Sequence, residues 1–205
     1  YFICFVLVAN INNIQEVTKD KDVLLCAVPS TFVRSTMNTA KDYIEPGQNI
    51  VNVAKGIESD TLLTMTQLIS DVVPSAKAVA LSGPTHAEEV AHDIPTTIVS
   101  ACNDIKVAEK VQDVFVNTCM RVYTNVDVLG VELCGAFKNI IALAAGICSG
   151  LGFGDNTRVA LITRVMSEIT RQGLKMGCME QTFYGFSRIS DSIVTATSRH
   201  NRNNK

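Results

Sequence analysis

Past residue 95 the sequence contains no proline. All five, Pro29, Pro46, Pro74, Pro84 and Pro95, lie ahead of that point. Proline punctuates short strands and loops, so the change marks two architectures joined end to end. A clustered basic excess is also missing. The formal net charge is -2 and the calculated pI about 5.9, which leaves no electrostatic footprint for nucleic acid. Seven cysteines are scattered along the chain with no CxxC pair. An odd, dispersed set fits reduced thiols in the cytoplasm better than a disulfide framework or a zinc site. The apolar opening YFICFVLVA has no initiator Met and no basic residue ahead of it, so it does not read as a signal peptide. It is too short to span a bilayer. A buried segment, with further chain upstream, is the expectation, and no integral membrane segment is expected. Repeats and low-complexity stretches are lacking too. What is present is 205 residues, 47% of them hydrophobic, enough for a core of one large or two small domains.

The first part alternates strand and helix patterns. DVLLCAV (22–28), NIVNVAK (49–55), KAVALSG (77–83), TTIVSA (96–101) and MRVYT (120–124) are short runs rich in Val and Ile beside Pro or Gly, as buried strands are. Helical patterns cover 32–43, 62–72, 86–91 and 105–116. Such alternation predicts an α/β fold with a mostly parallel sheet. Sites in these sheets gather at the carboxyl ends of strands, which draws weight to Pro29-Ser30, Lys55-Gly56 and Ser82-Gly83-Pro84-Thr85. The second part reads as helices: one over 127–148, and another opened by an Asp155-Asn156-Thr157 cap cluster and ended at Gly177. Domains of 1–125 and 126–205 follow.

Lys138 is the most informative single residue. It is the only charged side chain between Glu132 and Asp155, on a helix that is apolar or small nearly all round. Such a helix is expected to be buried, and burial lowers the pKa of a lysine, suiting it to take a proton from a hydroxyl. A lysine that snorkels to the surface or pairs with a carboxylate is the bland alternative. Lys55 closes a strand ahead of Gly56, where a ligand could approach the backbone. Ser82 to Thr85 offers hydroxyl and N–H donors at a helix start, a setting that serves anion binding or plain capping. Gly150, Gly152 and Gly154 mimic a dinucleotide fingerprint but follow a helix, so an interhelical turn is expected. His86 and His92 are six apart, which is not a metal-binding spacing, and no metal is expected.

VAKGIE (53–58), LSGPTHAEEVA (81–91), GVELCGAFKNIIALAAGICSGLGFGDNTRVALITR (130–164) and TFYGF (182–186) together resemble NAD(P)-dependent glycerol-3-phosphate dehydrogenase, most closely its bacterial branch. The likeness runs from about residue 12 to the end. It implies hydride transfer between glycerol 3-phosphate and dihydroxyacetone phosphate with NAD or NADP. It also implies a Rossmann domain followed by an all-helical substrate domain. Lys138 matches the family's catalytic general base, with Asn139 beside it. Lys55 matches a lysine that contacts substrate and cofactor. Gly83 and Thr85 match substrate positions, and Ala87 a cofactor contact. Asp191 matches a catalytic aspartate. Arg202 and Asn203 match the pair that receives the substrate phosphate near the cofactor; a planar arginine fork suits phosphate oxygens.

Three departures stand out. The family's glycine-rich phosphate loop and first βαβ unit should precede residue 1, and the family continues beyond Lys205. Glycines expected before the aspartate are Arg188 and Ser190, and a serine expected before the arginine is Asn201. On that basis this chain alone is expected to bind nicotinamide cofactor poorly, a point tight NADH binding in calorimetry would refute. A related β-hydroxyacid dehydrogenase and a non-catalytic remnant serving as a binding or assembly module are the alternatives. Oligomeric state, a homodimer included, and the choice between NAD and NADP stay open.

Overall fold

The computed structural model describes residues 13–85, 87–116 and 118–184. Five strands form one sheet in the order β1 (Val23–Cys26), β2 (Asn49–Asn52), β3 (Lys77–Ser82), β4 (Thr96–Ala101) and β5 (Met120–Asn125). β1, β2 and β3 are parallel, β4 is antiparallel to β3, and β5 runs parallel to β4. The fold is thus α/β with a mostly parallel sheet. The reversal puts the start of β4 beside the carboxyl end of β3.

Helices α1 (Ile14–Thr18), α2 (Val33–Ala40), α3 (Met65–Val72), α4 (Ala87–Ala91) and α5 (Ile105–Val114) join or flank the strands. The two-residue period of the strands sorts their side chains to opposite faces. Ile50 packs with Val33, Met37, Leu68 and Ile69 of α2 and α3. Its neighbour Val51 packs on the other face with Val79, Leu81, Ile98 and the α5 residues Val107, Ala108 and Val111. The apolar spacing on each helix is the i, i+3, i+4 stripe that makes one face bury.

The expected helix over 62–72 starts later, at Met65. Leu62 is 75% exposed with φ +59, and Ile57 bridges Thr64, so a tight loop replaces the first turn. Gln67 then caps the start, its side chain accepting the Thr64 N–H at 3.0 Å. The pattern over 32–43 breaks into a 3-10 turn, α2 and a second 3-10 turn.

The carboxyl-terminal part is helical, with α6 (Val128–Gly150), α7 (Asp155–Lys175) and α8 (Glu180–Tyr184). Asp127 caps α6, accepting the Gly130 N–H at 2.9 Å, and its other oxygen accepts the Met179 N–H at 2.8 Å ahead of α8. Leu133, Ile141, Ala145, Met166, Ile169 and Phe183 form the helical core. Gly150 to Gly154 is the interhelical turn, with Gly152 at φ +77. Gly154, not the Asp155 cluster, is the cap position of α7, and no side chain caps it; Asp155 is instead ion-paired with Arg158 inside the first turn.

The expectation of an all-round buried α6 is corrected. Its first turns are buried, but Ile140, Leu143 and Ile147 are each more than half exposed. By length and composition this helix could cross a membrane, yet its inner side packs on β3, β4, α7 and α8.

Candidate active site

Three strand ends and one helix converge at the carboxyl edge of β1 to β3. Asn52, buried at the end of β2, folds its side chain back to accept the Ala54 N–H at 3.2 Å and to donate to the Ala54 carbonyl at 2.8 Å. That turn delivers Lys55, whose Nζ donates to the Gly83 carbonyl at 2.6 Å. Gly56, at φ +154, lies against Ser30 beyond β1; an added Cβ would come 3.0 Å from the serine side chain. Gly83 lies so close to β4 that a Cβ would come 2.6 Å from the Thr97 carbonyl oxygen. The three places singled out by the strand-end rule therefore meet.

Helix α6 closes this edge. Val131, fully buried, packs with Ala80, Val99 and Ala101. One turn on, a Cβ at Gly135 would lie 3.0 Å from Ser82 Oγ and 3.5 Å from Lys55 Cγ. The stem of Lys55 is thus pressed to the helix backbone. Lys138 follows three residues later, on an adjacent part of the same face. It is half-buried, and Asn139 is exposed. Thr85 is exposed between β3 and α4, and Ala87 is the first residue of α4. Asp191, Arg202 and Asn203, with the departures at Arg188, Ser190 and Asn201, lie outside the described residues.

Two carboxylates near the site carry more structure than their sequence context suggests. Glu58, in the loop after Gly56, takes a two-pronged ion pair from Arg34 at 2.7 and 2.8 Å, and Thr61 donates to it as well. Arg34 also reaches Asp71 of α3 at 2.9 Å. The guanidinium hydrogen bonds hold the Glu58 carboxyl well below its usual range, at about 2. This pair fastens the loop that bears Lys55 to α2 and α3.

Glu132 is the buried charge that the sequence argument sought at Lys138. It is 9% exposed. Its oxygens accept the Thr66 N–H at 2.9 Å and the Thr66 hydroxyl at 2.5 Å. Burial pushes its pKa up, against the pull of those hydrogen bonds. It lines the cleft shared by Asn52, Lys55, Gly56 and Ser82. The available signal was the same one that drew attention to Lys138, a charge inside an apolar run. Among the described residues no group of His, Cys, Asp and Glu could hold a metal ion.

Comparison with known proteins bears on the family and the fold. The family model for the NAD-dependent glycerol-3-phosphate dehydrogenase N-terminus matches residues 6–108, and that for the C-terminus matches residues 127–205. The chain is 63% identical over 197 residues to glycerol-3-phosphate dehydrogenase [NAD(P)+] 2 of Lactobacillus delbrueckii subsp. bulgaricus, covering 93% of this chain and 58% of that protein. The Agathobacter rectalis enzyme of the same activity is 49% identical, covering 94% and 57%. The crystal structure of glycerol-3-phosphate dehydrogenase from Coxiella burnetii superposes with a TM-score of 0.83 at 32% identity, covering 89% of this chain and 56% of that one. The chain thus spans a little under three fifths of the length of these curated relatives. With both family models matched in order and the sheet and helical parts superposing, the chain belongs to the NAD-dependent glycerol-3-phosphate dehydrogenase family.

Proposed function

We propose that this chain supplies the substrate-side machinery of an enzyme interconverting sn-glycerol 3-phosphate and dihydroxyacetone phosphate, with Lys138 as general acid and base. The observation that carries the reading is the junction of Lys55, Gly83 and Gly135. It gathers a cation, two bare backbone stretches and the helix bearing Lys138 at the strand ends where α/β proteins bind ligands.

The residues at this edge fit a nicotinamide dinucleotide. Lys55, held against the Gly83 carbonyl, provides positive charge at the strand ends. Lys55 and Ala87, with Arg202 from beyond the described residues, would hold the cofactor. When bound, NAD or NADP supplies or accepts the hydride. Lys138 Nζ donates its proton to the carbonyl oxygen in reduction and takes the C2 hydroxyl proton in oxidation. Lys55, Gly83, Thr85 and Asn139 orient the substrate, Asp191 tunes the lysines, and Arg202 with Asn203 receives the phosphate. Residues 1–125 form the partial dinucleotide-binding domain and 126–205 the substrate domain. The protein works in the cytoplasm, a reading in keeping with its odd, scattered set of cysteines with no CxxC pair.

In the full-length protein, Lys138→Ala is expected to lower dihydroxyacetone phosphate-dependent oxidation of NADH by about 10²–10⁴-fold, the range for loss of a general acid. Near-normal turnover in that variant would sink the assignment.

A further inference from the structure

We infer that Glu132 is a positioning residue, setting the roll of α6 and hence the place of Lys138 by binding the first turn of α3. The inference builds on the function proposed for Lys138. Apart from the Asp127 cap, α6 is held on the sheet and on α7 and α8 chiefly by apolar packing. The outer side of its second half is exposed at Ile140, Leu143 and Ile147. Along its first turns the sheet-facing contacts include Val128 and Val131 on Ala80, Val99 and Ala101, and Gly135 on Ser82 and the Lys55 stem. Methyl groups and bare backbone hold the helix by shape and burial, but they supply no directional bond to α3.

Glu132 differs in kind. Its two oxygens accept two donors of one residue, the N–H and hydroxyl of Thr66. Those donors belong to the amino-terminal turn of α3, where unpaired N–H groups and the helix dipole favour an acceptor. α3 is itself held to the sheet by Leu68 and Ile69, both buried, so the bond refers α6 to a fixed frame. Lys138 is six residues further along, roughly 9 Å up the helix axis. A roll of roughly 20° would carry a lysine ammonium at the end of its stem some ~3 Å sideways, and displacements of about 1 Å can cost about 10²-fold in rate.

The shape of the tie sets the test. Glu132→Gln keeps an oxygen for the Thr66 N–H and offers an N–H to the Thr66 hydroxyl. Glu132→Ala removes both bonds, and Glu132→Asp keeps the charge but shortens the reach by a methylene. The first measurement needs no turnover. Lysines of the cofactor-free, full-length protein are reductively ¹³C-methylated, and the Lys138 resonance is assigned with Lys138→Arg. Expected is a displaced Lys138 signal in Glu132→Asp and Glu132→Ala, a wild-type signal in Glu132→Gln, and an unmoved signal from Lys175 at the far end of α7. If Glu132→Ala does not fold, the contrast of Asp with Gln decides. A Lys138 signal identical in wild type and Glu132→Asp would overturn the inference.

The second measurement is kinetic. Glu132→Asp is expected to lower kcat for dihydroxyacetone phosphate about 10- to 100-fold with little change in KM, and Glu132→Gln to restore it, since a misplaced general acid affects the chemical step. A kcat that follows thermal stability across the variants, with no rescue by Gln, would reduce Glu132 to a structural role and overturn the inference. Failure of the underlying function would look different: Lys138→Ala would then retain turnover, whatever happens at Glu132.

Discussion

The two sides of α6 obey different rules. Its inner side carries Val131, Glu132, Leu133, Gly135, Ile141 and Ala145 into the sheet and the helical core, while its outer side shows Ile140, Leu143 and Ile147 to solvent among the described residues. Large apolar residues occur on both. Burial here follows from which side meets β3, β4 and α7, not from hydropathy. The same contrast separates its two charged residues: the acid is buried at α3, and the lysine is half-buried.

The sharpest way to break this comparison is a pair of truncations. Leu133→Ala should cost about 2–5 kcal/mol, as deletion of a buried leucine does, whereas Leu143→Ala should stay within about 0.5 kcal/mol. Denaturant melts of both would settle it; equal losses would mean that α6 is two-sided in its burial after all. Next in size is Gly83→Ala. The new Cβ meets the Thr97 carbonyl and Ile98 Cα, backbone that cannot step aside, so a loss of about 1–3 kcal/mol is expected. Thermal unfolding would report it, and a neutral result would show that β3 and β4 part more readily than their pairing suggests.

The smallest effect compares two glutamates through pH. The folded-state value of Glu58 lies at about 2, below its ordinary 4.5. The stability it contributes is therefore complete above about 4.5 and lost as pH falls towards 2. Glu58→Gln should be less stable than wild type at neutral pH and converge with it in acid. The pKa of Glu132 is raised by burial, so the sign reverses. Wild type loses stability relative to Glu132→Gln as pH rises from 4.5 towards the folded-state value. Urea midpoints measured from pH 2 to 8 would separate the two; a Glu58→Gln deficit that persists at pH 2 would contradict the Arg34 pairing.

Much of this architecture could be read from residues alone. The strands fall within a few residues of their apolar runs, because Pro29, Pro46, Pro74 and Pro95 mark where chain direction must change. The strand-end rule places Ser30, Lys55 and Gly83 at one edge from sequence alone. What stayed hidden depends on partners distant in sequence. Glu132 meets Thr66 across 66 positions, and Arg34 meets Glu58 across 24; no local pattern announces either pair. The start of α3 was missed for a local reason, since nothing in Leu62-Leu63 signals that Leu62 takes a left-handed conformation. The roles proposed for Asp191, Arg202 and Asn203 rest on family likeness, whereas Lys138 also stands out as a charge in an apolar run.

Asp127 has a consequence for how the helical part comes apart. One carboxylate holds the amides of Gly130 and Met179, so the hairpin of α6 and α7 is a loop pinned at both ends by a single side chain. The two ends cannot fray independently. Loss of the Asp127 carboxylate would therefore loosen both ends at once, and the start of α6 and the entry to α8 are expected to share one opening free energy in hydrogen exchange.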